Sequence, residues 1–313
     1  MSLNTTEPTD LNTEDIGGYV PFAYLHFTIA AAVAIVLCVI GLVGNIIVLW
    51  YLCNKFQKNN FTIYSKNLAA SYIIFLLFSV CVLLLNIHTL NSTQPHFEGK
   101  ESLYLFIEIF YDGALYSGMF ILTTISLESC ISVKSHVWRK CHSPKMLSVT
   151  ICVMLWLFGY ILSLSENLVC TPDAFVTQTA RCTAIQLITF ALAIIVCLPI
   201  MIISSLILLI RIKRIFNQQA STELYAFIIS AVIVFILSIV PFNFLWFLLY
   251  FNLIPIDFHK VALFYASIYG TVLNCTIIPY LYIIAEIKWK SKSHISEKTD
   301  SITNITSSKT DSI

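Results

Sequence analysis

The residues able to do chemistry in this chain are few and acidic. Glu108 and Asp112 lie four apart in an otherwise apolar run from Ser102 to Val133, and Glu128 stands near the end of that run. Residues four apart share one face of a helix. Carboxylates inside apolar runs are costly, and they face a bundle interior or a water-filled cavity. Glu166 closes a second apolar run, four residues before Cys170. The chemistry such groups offer is electrostatic capture of a cation. Bond-breaking chemistry has no matching constellation: there is no helical HExxH and no GxSxG, and the nine glycines are scattered without a phosphate-cradling loop. The expectation is a protein that is not an enzyme and carries no cofactor or metal.

The elements that must position these acids follow from composition. The chain has 313 residues, 58% of them hydrophobic and only 11% charged, with a mean hydropathy of +0.83. Soluble domains carry about 25% charged residues, so this chain has too little charge to cover a soluble surface. A net charge of +1 leaves no basic excess for binding nucleic acid. An integral membrane protein remains, and a spanning helix needs about 20 apolar residues. Six stretches lack any Asp, Glu, Lys or Arg: 16–54, 67–97, 146–165, 182–210, 224–256 and 261–285. The acid-bearing run 102–133 makes a seventh, because a six-span reading would leave it in water.

The fold expected is an all-α membrane protein, a seven-transmembrane helix bundle with the N-terminus outside and the C-terminus cytoplasmic. Cytoplasmic loops carry an excess of Lys and Arg. In this orientation only Lys100, Arg181 and Lys260 of the 18 basic residues face out, and the N-terminal segment holds Glu7, Asp10, Glu14 and Asp15 with no base. No apolar run occupies the first fifteen residues, so the first helix is expected to act as signal anchor. The chain divides into an extracellular segment (1–21), a seven-helix domain (22–285) and a cytoplasmic segment with a tail (286–313). The helices are expected at about 22–53, 62–87, 102–133, 146–168, 183–211, 223–251 and 258–285.

Of ten cysteines, only Cys170 and Cys182 face outward, and such a pair in an oxidising compartment is expected to bridge. The sequons at Asn4 and Asn91 fall outside, where glycans are added.

Seven spans with short loops suggest a G protein-coupled receptor, and local signatures resemble the rhodopsin-like class. These are Gly41-Leu42-Val43-Gly44-Asn45, Asn67-Leu68-Ala69, Leu155-Trp156 and the in-helix prolines Pro199, Pro241 and Pro279. The stretch Glu128-Ser129-Cys130-Ile131-Ser132-Val133, followed by Trp138, Cys141-His142 and Pro144-Lys145, resembles the Mas-related receptor family. So do the stretch from Pro199 to Ser205, Leu224-Tyr225, and Pro241-Phe242 followed by Trp246-Phe247-Leu248. The resemblance implies a multi-pass plasma-membrane receptor. Its implied partners are the lipid bilayer, an extracellular ligand and a heterotrimeric G protein, which it would meet around Glu128, Ser129, Cys130 and Tyr282. It also implies a bridge between helices four and five.

Three departures fall on one activation relay. Tyr72 stands where the class has an Asp, Ser129 where it has the coupling Arg, and Ile278 where the helix-seven motif has an Asn, while Tyr282 keeps that motif's tyrosine. Removing a polar network whole costs less than removing half of it. The bundle is then expected to be stable yet to switch differently. The alternative function is a seven-helix binding or accessory protein that couples weakly or not at all. A transporter would want an internal repeat or a through-going polar lining, and neither is present.

In the Mas-related family an acid at the spacing of Glu166 helps hold cationic ligands, and the family's second acid is replaced here by Gln186. The expectation is an anionic pocket for a basic peptide or an amine. Glu108, Asp112, Glu166 and Gln186 would supply its polar groups, and Tyr111, Tyr116, Phe242 and Trp246 its walls, with cation–π contacts. Blander roles stand beside this one: Asp112 tied to a Tyr or Ser of a neighbouring helix, Glu108 and Glu166 solvated at headgroup level, and the aromatics facing lipid. At the inner end, Ile287–His294 reads either as an amphipathic interfacial helix or as a disordered basic flank. The Ser/Thr-rich tail reads as disordered, with arrestin or a PDZ domain as its partners.

Overall fold

The computed structural model describes residues 19–54, 60–91, 100–134, 145–171, 177–214, 219–251, 266–288 and 291. Among these every regular element is helical, and seven helices are long and apolar enough to cross a membrane. Helix one is Tyr19–Asn54, helix two Asn60–Asn91, helix three Lys100–Lys134 and helix four Lys145–Val169. Helix five runs as Ala180–Phe190, a wide-turned π segment Ala191–Cys197, and Leu198–Arg214. Helix six is Gln219–Ser238 and Val240–Tyr250, broken at Ile239, and helix seven is Ala266–Lys288. The expected seven-helix bundle is what the chain forms.

The outside of this bundle is apolar. Val36, Trp50, Met154, Ile161, Ile195, Ile203 and Leu237 are all exposed, which suits a surface whose solvent is hydrocarbon. Lipid gives no hydrophobic drive for one helix to seek another, so close packing through small residues does that work. Helices three and four meet through Gly113, Ser117, Gly159 and Ser163. A Cβ built on Gly159 would come 2.4 Å from Ser117 Oγ, and one on Gly113 would come 2.7 Å from the Tyr160 ring. Ser163 Oγ then donates to Ile109 O across the same seam at 2.8 Å.

Each in-helix proline is answered locally. Proline lacks the N–H that would bond the carbonyl four residues earlier. For Pro279 that carbonyl is Cys275 O, and Asn45 Nδ2 of helix one donates to it at 3.0 Å and to Gly41 O at 2.8 Å. Gly44 lets helix seven come this near, since a Cβ there would meet the Pro279 and Tyr280 rings at 3.1 Å. Ahead of Pro199 the wide π turns loosen the helical ladder. Pro241 follows the break at Ile239, and Asn243 spans that break by donating to Ile239 O through both backbone N (3.0 Å) and Nδ2 (3.1 Å).

The loop after helix four is closed by a disulfide between Cys170 and Cys182, as the sequence leads one to expect. Seven other cysteines among the described residues are free, five of them buried. Asn4, the 135–144 stretch carrying Trp138, Cys141 and His142, and the tail 292–313 lie outside the described residues. So does the side chain of Asn91, which ends helix two.

Candidate functional site

One end of the bundle holds a cavity of about 350 Å³ between helices two to seven. That is within the range of small-ligand sites. Glu108, Asp112, Glu166, Tyr111, Tyr116 and Gln186 all line it, so six of the eight residues expected to form a ligand pocket stand around one space. For Phe242 and Trp246 the side chains lie outside the described residues. Helix six contributes Ile239, Asn243, Phe247 and Tyr250 instead.

Two of the three acids are held by neighbours. Glu166 of helix four accepts hydrogen bonds from the Tyr116 hydroxyl of helix three and from Gln186 Nε2 of helix five at 2.8 Å. Gln186 therefore does more than stand in for a missing acid: it fixes the one that is present. Asp112 accepts a hydrogen bond from Asn167 Nδ2 at 3.1 Å, and the same amide donates to Ser163 O at 3.0 Å. This is the tie across helices that the sequence allows for Asp112, with an asparagine where a Tyr or Ser was expected. Glu108, one turn nearer the mouth, is exposed. The cavity's apolar side is aromatic, with Phe190 stacked on Phe247 at 4.2 Å between ring centres and Phe247 against Phe251 at 4.8 Å. Phe190, which ends the first part of helix five, and Ala193 of the π segment both stand in this wall.

No Lys or Arg is among the described residues that line this cavity. Two carboxylates tethered by neutral amides and a phenol thus have no counter-charge from the chain. Ionised carboxylates at this depth need a cation as partner. Chemically, the arrangement suits reversible capture of positive charge beside aromatic faces.

The opposite end shows how the altered relay is packed. Glu128 accepts a hydrogen bond from Asn60 Nδ2 of helix two at 3.4 Å. The acid that would pair with an adjacent arginine is tied to a neighbouring helix instead. Ser129 is half-buried and Cys130 buried. Tyr282 is buried with its ring edge-on to Phe227 of helix six, 5.5 Å between centres. Tyr72 fills the middle of the bundle, 3% exposed, and its ring rests where a Cβ on Gly118 would come within 3.1 Å. Its hydroxyl accepts from Asn274 Nδ2 at 3.4 Å, while Asn274 Oδ1 is buried with no hydrogen-bond partner among the described residues. The polar network expected to be lost whole thus survives in part, as a tyrosine–asparagine pair between helices two and seven.

Asn60, Asn167, Asn243, Asn274 and Tyr250 escaped the sequence reading. Asn167 left a trace, standing beside Glu166 and four residues after Ser163. Asn60, Asn274 and Tyr250 act through contacts distant in sequence, whereas Asn243 bonds Ile239 O one turn away in helix six.

No family model matches the chain. Mas-related G-protein coupled receptor member D of Homo sapiens is 30% identical over 271 residues, covering 86% of this chain and 81% of that one. The member D receptor of Macaca fascicularis is 28% identical over 286 residues (91% and 86%). The proto-oncogene Mas protein of Homo sapiens is 27% identical over 287 residues (90% and 84%). With seven spans, the helix four–five disulfide and relatives at this identity over most of both chains, this protein belongs to the Mas-related family of G protein-coupled receptors, multi-pass proteins of the plasma membrane.

Proposed function

We propose that the chain is a receptor whose cavity opens to the outside of the cell, takes an extracellular peptide or amine carrying positive charge, and passes the signal to a heterotrimeric G protein. The observation that carries this reading is the pair Asp112 and Glu166, tethered inside the cavity with no basic residue among its described lining. The tethers hold both carboxylates in place before a ligand arrives, which lowers the ordering cost of binding. Glu108 at the mouth adds electrostatic attraction on the way in.

The test is a panel of primary amines, guanidines and short basic peptides scored by G protein activation in cells. Against whichever probe responds, Glu166→Gln and Asp112→Asn are expected to raise the half-maximal concentration at least about tenfold each, the ratio worth about 1.4 kcal/mol. A response to a cationic probe that both neutralised variants keep unchanged contradicts the assignment.

A further inference from the structure

Helix three meets the cavity along a single stripe. Glu108, Tyr111, Asp112, Leu115, Tyr116 and Met119 all line it, and steps of three and four residues keep to one face of a helix. At about 1.5 Å per residue, the stretch from Glu108 to Met119 covers roughly 16 Å of helix axis. Helix six lines the same space from Phe235 to Tyr250. A volume of about 350 Å³ drawn out over such a length leaves a mean cross-section of roughly 20 Å², close to that of one extended alkyl chain. The space is long and narrow, and a linear ligand fits it better than a globular one.

Along this channel the negative charge is graded in depth. Glu108 is exposed, and Asp112 stands one turn further in, about 6 Å along the axis. Asp112 is tied to Asn167 of helix four, while Glu166 of the same helix accepts from Tyr116, one turn deeper than Asp112 on helix three. Deeper still, Met119, Phe235 and Ile239 bring no charge to the lining. A single ammonium seated against Asp112 and Glu166 therefore lies about a turn away from Glu108. Like charges four residues apart on a helix repel each other, and a ligand that meets both relieves this.

We propose that the cavity selects linear dications, whose two cationic nitrogens are joined by an extended chain of four or five carbons. The inner nitrogen sits between Asp112 and Glu166, and the outer one meets Glu108. Such a chain matches the rise of four helical residues, ~6 Å. The acids set the charges, and the narrow channel sets the chain between them. Glu108 is then the residue that tells a diamine from a monoamine. The inference rests on the reading above that the cavity takes cations, and adds to it a second charge at a set spacing.

The experiment compares pentamethylenediamine with pentylamine, which has the same chain and one nitrogen fewer, on the whole chain purified in detergent. Each amine's half-maximal concentration for raising the unfolding midpoint gives its affinity without calling on G protein coupling. The diamine is expected to bind about four- to tenfold more tightly, a statistical gain of about two from its equal ends multiplied by what an exposed ion pair adds. In Glu108→Gln the ratio is expected to fall to about two, with the loss falling on the diamine. Glu108 is exposed, so this change is not expected to disturb the fold. A ratio near two in the natural chain, or a larger one that Glu108→Gln leaves intact, overturns the dication. The cationic cavity then still stands, provided pentylamine binds more weakly to Asp112→Asn combined with Glu166→Gln. No binding of either amine, or binding that this double variant leaves unchanged, overturns the cationic cavity and the dication with it.

Discussion

At the scale of the residue, the decisive property of this receptor is that polar groups in the bundle are tied by neighbours that are themselves uncharged. Asn45 is the clearest structural case. Its amide caps Cys275 O, which Pro279 leaves without a donor. Asn45→Leu is expected to cost about 1–3 kcal/mol, since it orphans a buried carbonyl. Thermal unfolding of the purified receptor in detergent checks this, and an unchanged midpoint would mean the carbonyl finds another donor. Tyr72 and Gly118 form a coupled pair: the ring occupies the space that a side chain at 118 would need. Gly118→Val is therefore expected to destabilise by about 1–3 kcal/mol, and Tyr72→Ala added to it should restore part of the loss. Additivity of the two changes would show that ring and glycine do not share this space. Much at this scale was legible in the sequence. An acid in an apolar run announces itself, so Glu108, Asp112 and Glu166 were visible. What was hidden is who holds them, because Gln186 and Asn167 are unremarkable polar residues until folding brings them to Glu166 and Asp112.

At the scale of the element, prolines mark where helices five, six and seven depart from regularity, and each departure has a different remedy. Pro279 is served by a side chain from helix one, Pro199 by a π segment ahead of it, and Pro241 by a break. Apolar run lengths made the seven spans legible, and the prolines were visible in three of them. Which remedy each proline would receive was not, because the remedy depends on the helix packed beside it. The seam of helices three and four predicts a sharp response. Gly159→Ala places a methyl 2.4 Å from Ser117 Oγ, so the helices must part, at an expected cost of about 1–3 kcal/mol. Gly159→Ala combined with Ser117→Gly should recover only part of the stability in the same thermal assay, because Ser117 N at 2.8 Å and Gly113 O at 3.1 Å still meet the methyl. Failure of the double variant to recover would place the strain elsewhere in the seam.

At the scale of the whole molecule, the bundle joins an acidic cavity at one end to an opposite end where Tyr72, Ser129 and Ile278 depart from the pattern of the class. Glu128 leans on Asn60 of helix two, and Tyr72 meets Asn274 of helix seven. The sequence showed that the usual partners were missing, but not that substitutes sat 68 and 202 residues away. The disulfide between Cys170 and Cys182 ties the end of helix four to helix five. Removing it as Cys170→Ser with Cys182→Ser is expected to cost about 2–4 kcal/mol, visible as reduced surface expression and a lower unfolding midpoint. We propose that this receptor signals to a heterotrimeric G protein despite Tyr72, Ser129 and Ile278. The most direct measurement is nucleotide exchange on heterotrimeric G proteins, comparing the natural chain with Ser129→Arg at matched surface expression. The natural chain is expected to drive exchange above mock-transfected cells, at rest or with a cationic probe, and Ser129→Arg to alter its size without creating it. Silence in the natural chain, with signal appearing only in Ser129→Arg, would overturn that proposal and leave a seven-helix binding protein that no longer couples.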